Sequence, residues 1–154
     1  MPWRPSITEE ANTLGALLRG PYEATLDYIF HRVGKAGYRD VRPAHSAVLR
    51  HVARDGSRIT ELAERARMTK QSMAELVEYL RGRRYVELAR DPTDGRAKVV
   101  KLTNRGWKLH DIMVQNSRAF EKECARSLGE HKWRRFRGLL EEVAALSKTR
   151  TRTG

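Results

Sequence analysis

Apolar residues recur at helical spacing in several blocks along the chain, and the breaks between those blocks set the architecture. In the first block, 8–34, Leu14, Leu17, Leu18, Leu26, Ile29, Phe30 and Val33 fall on one helical period. Thr8 with Glu9 and Glu10 suits its N-terminus, where acidic groups complement the helix dipole. Gly20-Pro21 lies inside the block and predicts a kink or a break into two helices. Gly37 and the stretch 38–43 close it. A second helix is expected over about 43–54, with Val48, Leu49 and Val52 inward and Asp55-Gly56 as its stop.

Two short helices follow in close order. Ile59, Leu62, Ala63 and Ala66 occupy i, i+3, i+4 and i+7, and Met73, Leu76, Val77 and Leu80 repeat the pattern. Only Arg67-Met68-Thr69 separates them, so they must cross steeply through a tight turn, with Thr69 placed to cap the second helix. Tyr85, Val86 and Leu88 then read as a strand, Asp91 to Gly95 as a turn, and Val99, Val100 and Leu102 as the return strand. Two strands do not make a stable sheet, so this hairpin must lean on the helix pair. Thr103 can cap a long helix over 104–127 carrying Leu109, Ile112, Met113, Phe120 and Cys124. Gly129 separates it from a last helix with Trp133, Phe136, Leu140 and Val143. The expected class is mainly α with a small β-hairpin wing (α+β): one domain over 1–154, with a winged helix-turn-helix at 43–103. Helices at 8–37 and 104–147 flank it, and 148–154 form a frayed basic tail.

The charge sharpens this picture because of where it lies. The 154 residues carry a net +12. Residues 65–108 alone hold 12 Lys and Arg against 5 Asp and Glu, whereas 1–64 hold 9 against 8. Residues 109–130 hold 3 against 4, and 131–154 hold 7 against 2. A basic excess that coincides with a helix-turn-helix and hairpin is the footprint of a nucleic-acid binder, set against the plainer reading of solubilising surface charge.

In a helix-turn-helix the second helix enters the major groove and its first residues reach base edges. With positions 73, 76, 77 and 80 given to the core, Lys70, Gln71, Ser72 and Glu75 face outward. Lys can reach guanine, Gln can pair with adenine, and Glu can accept from cytosine. Thr69, Lys70 and Ser72 can equally hold a phosphate at the helix start. At the hairpin tip, Arg96 suits a narrow, electronegative minor groove, flanked by Arg90, Lys98 and Lys101 toward phosphate. Asp94, two residues away, either pins the Arg96 stem or shapes the turn, and both roles can hold together.

These residues carry a resemblance. Leu62-Ala63-Glu64, Thr69-Lys70-Gln71-Ser72, Leu76 to Leu80, Arg90-Asp91-Pro92, Asp94-Gly95-Arg96, Leu102-Thr103 and Gly106 together resemble the MarR family of bacterial winged helix-turn-helix transcription regulators, most specifically over 59–106. The resemblance implies a homodimer whose terminal helices interlock and whose two winged helices bind double-stranded DNA at a pseudopalindromic operator; with no apolar leader at Met1 to Pro5 and no stretch near 18 apolar residues, a cytoplasmic place is expected. It further implies a repressor that a small aromatic or phenolic ligand or an oxidant can release. A ligand pocket would lie between the dimerising helices and the winged helix, with Tyr28, His45, Trp107 and His110 as its aromatic candidates. Two departures stand out: Arg84 occupies a position before the first wing strand where relatives often carry Gly, and Glu75 is acidic where they are often basic or Thr. The base preference therefore does not carry over. The alternative to a sequence-specific regulator is an architectural protein that coats DNA through charge.

Other chemistries find no support in the sequence. The single cysteine, Cys124, excludes a disulfide framework within the chain, and its place on an apolar helix side suits a small hydrophobe. Oxidant-sensing relatives carry their Cys near the first helix instead. The five histidines make no metal-binding spacing, and no nucleophile elbow, phosphate-binding loop or carboxylate pair appears. No enzyme activity, metal, cofactor or membrane contact is expected.

Overall fold

A computed structural model describes residues 13–150. Helix α1, Leu14–Lys35, begins at the cap residue Thr13. The expected start at Thr8, Glu9 and Glu10 lies outside the described residues. The helix runs through Gly20-Pro21 without the break that was one of the two expectations there. A proline two turns in removes only one ladder bond. One turn on, the Thr25 hydroxyl donates to the Pro21 carbonyl (2.7 Å). Ile29, Phe30 and Val33 then anchor the C-terminal half in the core.

The segment expected as one helix over 43–54 is shorter and mixed. A 3-10 turn at Pro43–His45 leads into a four-residue helix α2, Ser46–Leu49. It ends early because the chain turns back toward the hairpin. Ala53 N–H donates to Ser57 Oγ (3.0 Å), and Gly56 is left-handed with φ 101°. Ser57 and Val100 exchange a pair of backbone hydrogen bonds of 3.1 and 2.8 Å, which adds a one-residue third strand. A Cβ at Gly56 would press on Val99, so that position needs glycine for space as well as for φ.

Helices α3 (Ile59–Ala66) and α4 (Lys70–Gly82) form the helix-turn-helix. Strands β1 (Val86–Arg90) and β2 (Lys98–Leu102) pair antiparallel, Val86 opposite Leu102 and Arg90 opposite Lys98. Tyr85, expected in the strand, sits just ahead of it, its carbonyl accepting from Thr103 N–H (3.1 Å). Leu88 lies in the strand as expected and is exposed. Leu62, Met73, Leu80, Tyr85, Val100 and Leu109 are fully buried and join the helix pair, the hairpin and the start of helix α5 (Asn104–Leu128) into one core.

The chain divides into two compact units, one up to Asn116 and one from Ser117. In the second, Gly129 (φ 85°) turns the end of α5 into α6, Glu130–Arg150. Arg137 pairs across this hairpin with Glu121 at 3.0 Å. Helix α6 reaches three residues past the expected end, and 151–154 lie outside the described residues. No helix among the described residues is long and apolar enough to cross a membrane.

Candidate nucleic-acid interface

The start of α4 is built by Thr69. Its backbone is extended, and its hydroxyl accepts from Ser72 N–H (3.1 Å) while donating to Ser72 Oγ (2.8 Å). One of the four orphan N–H groups of the first turn is thereby satisfied. Lys70, Gln71 and Glu75 stand exposed on the outer side, opposite buried Met73, Val77 and Leu80. Thr69 and Ser72 spend their hydroxyls on each other and on the cap, so the free reading groups at the helix start are Lys70, Gln71 and Glu75.

The wing is fastened to the helix pair by a contact that sequence reasoning missed. Arg58, directly before α3, donates from Nε to Asp91 Oδ2 (2.7 Å) and pairs with it through Nη2 at 2.6 Å. Asp91 Oδ1 in turn accepts from Thr93 N–H (2.8 Å) and Thr93 Oγ1 (2.7 Å). The Thr93 hydroxyl and amide, with the Arg58 guanidinium, hold the Asp91 carboxyl well below the usual carboxylate range. The two partners are 33 residues apart. The one sequence hint was an arginine where a helix start normally wants Ser, Thr or Asp. Glu61, three residues on, accepts from Arg58 N–H (3.1 Å), the reciprocal half of a capping box.

Asp94 shapes the turn. Its Oδ1 accepts from Arg96 N–H (3.2 Å), and its Oδ2 faces Arg58 Nη2 at 3.6 Å. Of the two roles expected for Asp94, this is the second, and the Arg96 side chain stands exposed at the tip. Arg90 and Lys98 face each other at the mouth of the loop, both exposed.

Behind the helix pair, an aromatic and ionic cluster sets the far end of α4. Tyr79 OH donates to the Asp40 carbonyl (2.6 Å), and Tyr85 OH donates to Asp40 Oδ1 (2.7 Å) while accepting from Arg105 Nη2 (2.9 Å). Burial pushes the Tyr85 phenol up. His45 is buried, stacks on Tyr79 at 4.3 Å between ring centroids, and accepts from Arg42 N–H at Nδ1 (2.9 Å). Burial, and then the charges of Arg42 and Arg83 against that of Asp40, push its imidazole below the ordinary value.

The four aromatic pocket candidates separate into three settings. Trp107 and His110 meet edge to face at 5.5 Å, with Arg54 over Trp107, whereas His45 belongs to Tyr79 and Tyr28 lies under Arg32. An open groove of about 1020 Å³ lies elsewhere, along the flank of the hairpin, with Arg84, Leu88, Lys98 and Arg105 in its lining. Among the described residues no cluster of three His, Cys, Asp or Glu side chains could hold a metal.

Helices α1, α3 and α4 all end in one motif, in which an N–H just past the helix reaches back five residues and that of the residue before it reaches back three. The pairs are Tyr38 to Val33 with Gly37 to Gly34, Met68 to Ala63 with Arg67 to Glu64, and Tyr85 to Leu80 with Arg84 to Arg81. The left-handed position is Gly37 in the first, but Arg67 (φ 53°) and Arg84 (φ 61°) in the others. The turn at Arg84 therefore keeps its left-handed form without the expected glycine.

A sequence model of the MarR family matches residues 39–97. No curated protein matches the chain by sequence. Among solved structures, a MarR family transcription regulator superposes with TM-score 0.71 at 14% identity, covering 96% of this chain and 94% of its own. The transcriptional repressor CouR bound to a 23-mer DNA duplex gives TM-score 0.68 at 21% identity, with coverage of 92% and 99%. CouR from Rhodococcus jostii RHA1 bound to p-coumaroyl-CoA gives 0.67 at 20%, with coverage of 87% and 93%. At these identities the likeness is one of fold.

Proposed function

We propose, for a chain whose residues 39–97 match a model of the MarR family, that it is a homodimeric transcription regulator that binds specific DNA sequences and acts by occupying an operator. One observation carries the reading: the Arg58–Asp91 clamp makes the exposed start of α4 and the Arg96 wing a single presented surface. On this reading Lys70, Gln71 and Glu75 read base edges in the major groove. Thr69 and Ser72 set the helix start against phosphate. Arg96 enters the adjoining minor groove between Arg90 and Lys98, with Asp94 holding the turn.

Support for a homodimer comes from apolar faces left uncovered. Leu14, Leu17 and Tyr22 on α1, and Phe136, Leu139 and Leu140 on α6, are all exposed. Unburied apolar stripes of this kind mark association surfaces. A two-fold dimer places its half-sites about one helical turn apart, roughly 10 base pairs. For an effector, the support is the relative bound to p-coumaroyl-CoA, a phenolic thioester. Trp107 with His110 is the aromatic pair best placed to meet such a ligand.

The test is fluorescence anisotropy with DNA fragments recovered from the genome, against random duplex of equal length. A strong preference that Arg96→Ala abolishes supports the regulator. Equal affinity for random DNA overturns it and leaves an architectural protein. Titrating p-coumaroyl-CoA into the complex tests release, and light scattering giving a single-chain mass overturns the dimer.

A further inference from the structure

The helix-end motif that recurs three times assigns a glycine to α1 and arginines to the two ends that bracket α4. A left-handed backbone is the one place where a side chain is a liability and glycine is free of it. Strained positions persist where the side chain is needed, and they cluster at working sites. Among the described residues, Arg67 and Arg84 are the two non-glycine residues with this backbone, and neither guanidinium has a hydrogen-bond or ion-pair partner there.

Their surroundings say what the side chains are for. Arg67 projects from the turn two residues before the Thr69 cap, beside exposed Lys70. Arg84 lines the open groove on the flank of the hairpin. That groove contains Lys98, which also lacks a partner among the described residues, and the exposed side chain of Leu88. Its other cations are already engaged: Arg81 with Glu78 (2.7 Å), and Arg105 with the Tyr85 hydroxyl. Glu87 is the single acidic group of the lining. Lys98 faces Arg90 at the mouth of the tip loop, so the groove opens where the Arg96 wing meets DNA.

We propose that Arg67 and Arg84 stand in glycine's place in order to hold phosphates of the DNA backbone at the two ends of α4. Arg67 takes a phosphate at the edge of the half-site, beside Lys70. Arg84 takes one just beyond it, where the backbone enters the basic groove along the wing. The inference rests on the DNA-binding reading above and adds two phosphate-holding residues to it.

The test is Arg67→Gly and Arg84→Gly, with Arg67→Lys and Arg84→Lys as charge-preserving partners. Glycine is the motif's own residue, so each glycine variant should fold and melt at or above the wild-type temperature, by up to about 2–4 °C. On the operator duplex, each should bind several-fold more weakly. The slope of log affinity against log salt should flatten by about 1 for each phosphate that is no longer neutralised. The lysine variants should keep the wild-type slope. Unchanged affinity and slope in either glycine variant overturns the proposal. So does weaker binding with an unchanged slope, which would mean that the arginine acts through backbone shape alone. Pyrophosphate raising the melting temperature of the wild type but not of Arg84→Gly, with DNA binding equal in both, would reassign the groove to free phosphate and overturn the DNA role. If the wild type itself shows no operator preference while Arg96→Ala binds like it, the regulator reading fails instead.

Discussion

Thr69 caps α4 through its hydroxyl, and the proposed interface gives the same oxygen a phosphate contact; one series of variants separates the two. Removing it in Thr69→Ala leaves the Ser72 N–H without its partner and frees the Ser72 hydroxyl that Thr69 now engages. Losing such a cap costs about 1 kcal/mol. In a chain of this size that lowers the melting temperature by roughly 2–4 °C. The same ~1 kcal/mol changes the population of the opened first turn by about fivefold. Because Lys70 and Gln71 sit in that turn, affinity for the operator should fall, by that factor at most. Thr69→Asn restores the cap without restoring the hydroxyl. The readouts are thermal melting followed by circular dichroism and anisotropy on a labelled operator duplex. If the hydroxyl only caps, the Asn variant recovers both stability and affinity. If it also touches phosphate, the Asn variant recovers stability alone. A Thr69→Ala protein that melts at the wild-type temperature refutes the capping argument altogether.

Three further outcomes follow from the geometry. The Asp91 carboxyl is held below its ordinary 3.8, so the stability it adds is present above that pH and is lost as pH falls further. Melting temperatures between about pH 5 and pH 2.5 should drop steeply in the wild type and less steeply in Asp91→Asn, which should also loosen the wing and weaken DNA binding. His45 must be neutral to accept from Arg42 N–H, and its folded value is depressed below 6.5. Stability should therefore decline as pH falls below about 6.5, where the unfolded chain protonates first. His45→Asn keeps an acceptor and cannot charge, so it should flatten that decline; the partly buried His51 shares the same direction. A Cβ on Gly106 would run into the Tyr85 carbonyl oxygen, so Gly106→Ala should cost about 1–3 kcal/mol of stability in a urea titration.

The parts of the fold legible in the sequence were those written in local periodicity. Met73, Val77 and Leu80 announced α4 and its inward face, Thr69 announced its start, and the turn residues between Asp91 and Gly95 fixed the hairpin. What escaped was set by long-range contacts. Nothing near Arg58 in sequence shows that its partner lies 33 positions later, yet that ion pair joins wing to helices. The early end of α2 depends on Ser57 pairing with Val100, a neighbour only in space. Pro21 suggested a break because local rules count the missing hydrogen bond and not the core that Ile29 and Val33 secure a few turns on. Arg84 looked like a departure from a glycine pattern, but the backbone kept the glycine conformation and changed only the side chain it carries. At the candidate interface, the outward exposure of Lys70, Gln71 and Glu75 was readable from helix phase. The scatter of Tyr28 and His45 away from Trp107 was not, because aromatic residues on different elements carry no shared period.

The root of the wing has a mechanical consequence. Thr103 donates its hydroxyl hydrogen to the Arg84 carbonyl (2.6 Å) and accepts from Gly106 N–H (3.1 Å), while Gly106 lies against Tyr85 with no room for a side chain. The hinge between hairpin and α5 therefore has no slack. Together with the Arg58 clamp, this ties the wing to the helix pair and to the start of α5. In the proposed dimer, a ligand that shifts the start of α5 would swing the whole head, so control would act on the distance between the two heads, as calipers do.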